Sequence, residues 1–344
     1  MSIEIMILLV YYGFIGVFGV LFNAALLWLA LFHSPSQIKM YRILIVNFAI
    51  TDMAGAFFIM FVTPRIIPLD FAMAHLFYGV CHYVGRFSCY AAYSFTLHLF
   101  MHSMWSLLIS FCYRYYILIS GPPPAFKIVL CLATIYIPSF VQFIVFLSTA
   151  GDPHELLILI QSKFPSYEID FETVTGISDV LSPAVTFTII NMTFPIFPIY
   201  SAILIFRRKI LQKLEANAAH FRSETRSIHR QLLKALTLQA CLPTLFTIGA
   251  SLFIMLEARL LSNPVLECLI FAIPAPIPLF SCLISIYHIR PYRQALLHAL
   301  LRINIPTVPK EHHSSAAALA PQHKVSVLSL SRIRLHRLSI PNTS

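Results

Sequence analysis

Residues 5–32 read IMILLVYYGFIGVFGVLFNAALLWLALF, a run without one charged side chain and with a single amide, Asn23. A helix rising about 1.5 Å per residue needs roughly 20 such residues to cross a hydrocarbon core about 30 Å thick. The run exceeds that length. A cleavable leader has a basic start and a short apolar core. Met1-Ser2-Ile3-Glu4 has no basic residue and the apolar stretch is too long, so it reads as an uncleaved first span.

The same pattern recurs at about 41–64, 86–117, 126–148, 183–206, 231–256 and 264–289. Hydrophobic residues make up 58% of the 344 positions and charged residues 11%, with a mean hydropathy of +0.79. Soluble domains carry about 25% charge, so water is not the solvent for most of this surface. Backbone polar groups in hydrocarbon must be satisfied within the segment, which makes each run a helix. The runs are continuous rather than alternating, which excludes a barrel. The expected fold is therefore an all-α membrane protein, a seven-transmembrane helix bundle. Pro138, Pro195, Pro198, Pro243, Pro274, Pro276 and Pro278 fall inside spans and should kink them.

Past the seventh run, Leu296, Leu297, Leu300 and Leu301 form one stripe between Arg293 and Arg302, and Pro291 suits a first turn. This predicts a short amphipathic eighth helix over 291–303, lying on the bilayer surface. Residues 1–303 make the membrane domain. The Ser-, His- and Arg-rich stretch 304–344 reads as a disordered tail.

Charge sets the direction. With the N-terminus outside, 20 of the 24 Lys and Arg residues fall on the cytosolic side, and only Arg65, Arg86, Lys163 and Arg259 fall outside. Leaving out the tail, the bias persists, and the positive-inside rule favours this orientation. The 149–182 loop carries six acids against Lys163 alone. The net charge of +10 reflects a basic cytosolic face suited to anionic lipid. Because the basic residues are spread over helix ends, nucleic-acid binding is a poor reading.

Outer cysteines are Cys81, Cys89 and Cys268, and the 149–182 loop has none. An oxidising exterior permits Cys81 to pair with Cys89 or with Cys268, or all three to stay as thiols. The N-x-Ser/Thr matches at Asn191 and Asn342 fall in a span and in the cytosolic tail, where no sugar is expected.

Charge inside a membrane is costly and marks function. Asp52 is the one acid well inside a span, and Asn23 and Asn47 are candidate partners in a polar cluster; a purely structural, hydrogen-bonded carboxyl is the alternative. Arg114 ends the third span, where it could meet a partner protein or snorkel to headgroups. The 207–234 linker, with Arg207, Arg208, Lys209, Arg230 and Lys234, would extend the fifth and sixth helices as a docking surface, or serve only to set topology. His98 and His102, at i and i+4, share a helix face. That spacing can hold a metal. The other histidines are scattered, so pocket lining or packing polarity is the better reading and no metal or other cofactor is expected. Tyr90, Tyr93 and Ser94 lie above them and could line an outer cavity.

Seven spans, an outside N-terminus, Arg114 between Tyr113 and Tyr115, and Pro291-Tyr292-Arg293 at the start of the last helix together resemble rhodopsin-type receptors. The stretches Ser34–Tyr41, Ile45–Asp52, Arg65–Pro68, Cys89-Tyr90, His98–Ser103 and Ser110–Leu118, closed by Pro291-Tyr292-Arg293, carry a narrower likeness. More narrowly, residues 10–300 resemble the nematode serpentine receptor class delta chemoreceptors. The resemblance implies a plasma-membrane receptor of sensory cilia that binds an environmental small molecule and signals to a heterotrimeric G protein. Arg114 would stand for the arginine at the base of the third helix, with Tyr115 beside it, and Asp52 for the second-helix acid. Tyr113 stands where rhodopsin-type receptors carry an acid, and Ser281-Cys282-Leu283-Ile284 where an Asn-Pro switch is usual. A channel or transporter with seven helices is the alternative. The two halves show no internal repeat and no polar pore stripe. No catalytic constellation supports an enzyme.

Overall fold

The computed structural model describes residues 3–167, 169–216, 223–260 and 263–301. The expectations for Asn342 and for the tail lie outside them. Among the described residues, seven helices are long and apolar enough to cross a membrane: Ile3–Phe32, Arg42–Val62, Arg86–Ser120, Ala125–Leu147, Pro183–Ala216, Arg226–Glu257 and Pro264–His288. The protein is a seven-span helical membrane protein. The first four spans are unbroken: α1 (Ile3–Phe32), α2 (Arg42–Val62), α3 (Arg86–Ser120) and α4 (Ala125–Leu147). Pro138 is accommodated inside α4.

The last three spans are each interrupted at proline. A proline lacks the amide hydrogen and clashes with the carbonyl one turn back. Pro195 separates α6 (Pro183–Thr193) from α7 (Ile196–Ala216). Pro243 stands at the junction of α8 (Ser223–Gln239) and α9 (Thr244–Glu257), and Pro274 and Pro276 at that of α10 (Pro264–Ala272) and α11 (Ile277–His288). Between the fourth and fifth spans lies a further short helix, α5 (Pro153–Lys163). A last helix, α12 (Arg290–Leu301), follows the seventh span.

α1 lies close along α2 because Gly16 and Gly19 offer no side chain there; a Cβ at either would run into Met60 or Ala56. Without a hydrophobic drive between helices in lipid, such close approach is what holds them. The long α3 is the central post, touching α2, α4, α7 and α8. Val10, Phe14 and Leu21 of α1 point outward while Tyr12, Ile15 and Asn23 point in, which separates the lipid-facing side from the bundle side.

The loops hold structure that an all-helical reading omits. β1 (Pro64–Leu69) and β2 (Ala72–Phe77) form an antiparallel hairpin, and β3 (Val174–Ile177) pairs with β2. Leu69 faces Ala72 across a two-residue turn at Asp70 and Phe71, and Asp70 takes the left-handed conformation at φ 64°. Aspartate tolerates that region better than most residues. β1 is an edge strand, so Pro64 and Pro68 cost it no central ladder bond. α5 starts at an Asp-Pro pair: Asp152 Oδ1 accepts from the His154 amide at 2.8 Å, and Pro153 occupies the first turn. The 149–182 stretch is thus a helix and a strand folded over one end of the bundle.

All four ion pairs among the described residues lie at this hairpin end. Arg65 pairs with Glu267 at 2.7 Å, Lys163 and Arg259 with Asp70 at 2.5 and 2.9 Å, and Arg86 with Glu172 at 3.7 Å. The basic residues of the opposite end, Arg208, Lys209, Arg230 and Lys234, are exposed.

Candidate functional site

Two places concentrate polar groups within the apolar bundle, and both lie on α3. At its basic end Arg114 is 2% exposed. Its guanidinium carbon sits 3.7 Å from the centre of the Tyr41 ring, and Nη1 donates to Nδ1 of His229 on α8 at 3.1 Å. The ring of Tyr113 lies tilted beside that of Tyr41, their centres 5.6 Å apart. Below them Tyr292 of α12 is fully buried, its hydroxyl 2.7 Å from that of Ser34. The sequence left Arg114 either to meet a partner protein or to snorkel to headgroups; in this structure it is sealed within the bundle, where a planar guanidinium can stack on an aromatic face and still use its edge for hydrogen bonds.

His229 was missed, although the sequence placed it on the apolar face of α8 with Ile228, Leu232, Leu233 and Leu236, all buried. Tyr115 is half-buried, with Lys209 Nζ 5.6 Å from its ring centre. Arg207 is half-buried and Arg208, Arg230 and Lys234 are open to the surroundings.

At mid-bundle the expected cluster of Asn23, Asn47 and Asp52 divides into three separate contacts. Asn23 Nδ2 donates to the carbonyls of Gly19 and Pro278 at 2.9 and 3.1 Å. Asn47 Nδ2 donates to Ser106 Oγ at 2.9 Å, and its Oδ1 lies 3.2 Å from His102 Nε2. Asp52 accepts from Ser103 Oγ at 3.2 Å, with Ser281 beside it. Asn47 and Asp52 both turn to α3, at Ser106 and Ser103, whereas Asn23 turns to the backbone of its own helix and of α11. Gln239, unremarked in the sequence, donates from α8 to the Ser281 carbonyl, Ser281 Oγ and Ser285 Oγ at 3.0 to 3.1 Å. It is the one amide in the interior of the 231–256 run, Gln231 standing at its edge, and that was its signal.

A cavity of about 650 Å³, its open mouth included, lies over Asp52. Ser103, Gln239 and Ser281 are its other polar groups; Met101, Met104, Met192, Ile196, Leu242 and Phe246 are among its apolar walls. None of Tyr90, Tyr93, Ser94, His98 and His102 lines it. His98 and His102 turn to α4, with ring centres 4.7 and 5.2 Å from Tyr136. Tyr90 and Tyr93 join Phe146 and the buried His75 in an aromatic layer under the hairpin, and Ser94 donates to the Tyr90 carbonyl at 2.7 Å. These positions pack because α3 presents them to α4 and the hairpin, a rotation that residue spacing alone does not set. Cys81 and Cys89 form a disulfide that clips the hairpin to the start of α3, and Cys268 is a buried thiol. Asn191 donates to Gln142 of α4 at 2.6 Å.

The sequence model for the family described as Serpentine type 7TM GPCR chemoreceptor Srd matches residues 8–298. The chain belongs to this family. Among curated Srd relatives, serpentine receptor class delta-18 of Caenorhabditis elegans is 36% identical over 280 residues, which is 80% of this chain and 83% of that one. Serpentine receptor class delta-3 of the same organism is 34% identical over 314 residues, covering 88% and 91%. Among solved structures, squid rhodopsin superposes with a TM-score of 0.60 at 12% identity, covering 85% of this chain and 79% of the other. The Srd chain thus shares the rhodopsin-type bundle. It is a multi-pass membrane protein of a chemoreceptor family, and that family is not a class of enzymes.

Proposed function

We propose that this Srd chain is a chemosensory receptor that binds a small molecule within the bundle and signals to a cytosolic heterotrimeric G protein. Residues 1–303 form the receptor and 304–344 its cytosolic tail. The N-terminus and hairpin end face outward at the plasma membrane, in sensory cilia, and the basic end faces inward. The observation that carries the reading is the sealed Arg114: a buried cation held between Tyr41 and His229 at the junction of the third and sixth spans. Among the described residues no carboxylate pairs with it, and desolvating such a charge is costly, so an arrangement that later exposes it has a drive to open. A ligand that favours the state with α8 displaced from α3 shifts the population toward it. Arg114 and Tyr115 then meet the partner, with Arg207, Arg208, Lys209, Arg230 and Lys234 around them. The nearly apolar lining of the cavity supports ligand binding over ion conduction.

The test is ligand-evoked G-protein signalling in a reporter cell screened with odorant mixtures. A response that Arg114→Ala removes at equal surface expression supports the reading. A ligand-evoked current that persists without any G protein overturns it.

A further inference from the structure

The cavity over Asp52 lies deep. Its α3 wall begins at Phe100 and Met101, and Met101 is eight residues below Tyr93, about 12 Å at the helical rise. Between it and the hairpin end stands a closed layer. Tyr12, His75 and Phe77 are fully buried, Tyr93 is 3% exposed and Phe271 7%. Tyr93 touches His75, Phe77 and Phe271 with ring centres 4.8, 5.6 and 5.3 Å apart. Over that layer the sheet is fastened by the disulfide and by the buried Arg65–Glu267 pair. Aqueous access from the hairpin end is thus blocked by two tiers of packed structure.

The sides differ. The fifth span leans on α4 through α6, and the sixth leans on α10 through α9. Each is interrupted next to the cavity, at Pro195 and at Pro243. The residues bordering these breaks, Phe194, Phe197, Cys241 and Thr244, are exposed to the bilayer side. Met192 and Ile196 from one span and Leu242 and Phe246 from the other form the facing cavity walls.

We infer that ligands reach this cavity sideways from the bilayer, through a portal between the interrupted fifth and sixth spans, and that they are compact, mainly apolar molecules that partition into lipid. A single hydrogen-bonding group on such a molecule would meet Asp52, Ser103, Gln239 or Ser281. The inference deepens the receptor reading and takes its meaning from it, but it can be tested without any signalling.

The experiment uses the full chain in lipid nanodiscs with Met104→Cys on the cavity wall and peptide mass spectrometry to locate each label. The probes are N-phenylmaleimide, which partitions into lipid, and a charged methanethiosulfonate, which does not. Position 104 should be modified by N-phenylmaleimide and be at least tenfold slower with the charged reagent than Val265→Cys, an exposed position at the hairpin end. Ile196→Trp should slow N-phenylmaleimide labelling of position 104 several-fold, and Ile196→Ala should speed it. Equal labelling of position 104 by the charged reagent, or rates indifferent to both Ile196 variants, overturns the portal. Two opposite variants keep the result decisive if one folds poorly. Absence of G-protein signalling with the labelling pattern intact would sink the receptor reading and leave the portal standing.

Discussion

Arg114 on the third span and His229 on the sixth are joined by a hydrogen bond of 3.1 Å, where rhodopsin-type bundles would offer an acid to the arginine. Tyr113 occupies the neighbouring position and packs at a tilt against Tyr41, and among the described residues the guanidinium's partners are aromatic rings and an imidazole. For the ring to accept at Nδ1, His229 must be neutral and carry its proton on Nε2. Between these two side chains the link is therefore a charge-assisted hydrogen bond rather than an ion pair, and easier to part.

His229→Ala should raise basal signalling. A hydrogen bond to a charged group is worth about 1.5–3 kcal/mol, so its loss shifts the resting equilibrium roughly tenfold or more toward the open state. Basal reporter activity at matched surface expression measures this. A basal level equal to the parent's would remove His229 from the switch.

The Arg65–Glu267 pair should behave as a buried pair. Arg65→Met or Glu267→Met alone leaves its partner uncompensated, at a cost of about 3–5 kcal/mol. Joint replacement of both by Met should recover most of that. Thermal unfolding in detergent for the four members of the cycle supplies the coupling; additive losses would show that the two do not interact.

Acid should loosen the hairpin end through His75. Burial among Phe77, Tyr90, Tyr93 and Phe146 lowers this ring to about 3, far below the ordinary imidazole value. Between the two values the unfolded chain binds the proton and the folded chain does not. Stability is therefore full above about pH 6.5 and declines as pH falls, by about 2 kcal/mol at pH 5. Hydrogen exchange of β2 followed from pH 7 to 5 should show faster opening, and His75→Phe should flatten that trend. An unchanged slope in the variant would assign the acid sensitivity elsewhere.

Serine in place of both Cys81 and Cys89 should destabilise the cap. Closing so short a loop constrains the unfolded chain by about 2–3 kcal/mol. Surface expression and melting temperature should fall together, whereas serine at Cys268, a thiol outside the disulfide, should cost much less.

Orientation has a direct check. An epitope tag at residue 160, in α5, should be reachable by antibody on intact cells, and one after residue 340 should need permeabilised cells. The reverse pattern would place Arg114 and the basic 207–234 stretch outside and end the G-protein reading.

Seven spans were legible in residues 5–32 and their six counterparts because transfer into hydrocarbon is decided residue by residue. Helical hydrogen bonds join neighbours four apart, so local sequence suffices for both. Proline marked the three interruptions, though not that α4 would absorb Pro138. What the tertiary structure alone decided is which side chains meet: Arg114 with His229, Asp52 with Ser103 rather than Asn47, Cys81 with Cys89, β2 with a strand a hundred residues away. These depend on how far each helix is rotated about its axis and how deep it sits. A span free to face lipid or protein leaves that rotation unmarked in its own pattern, and only packing against the other spans fixes it.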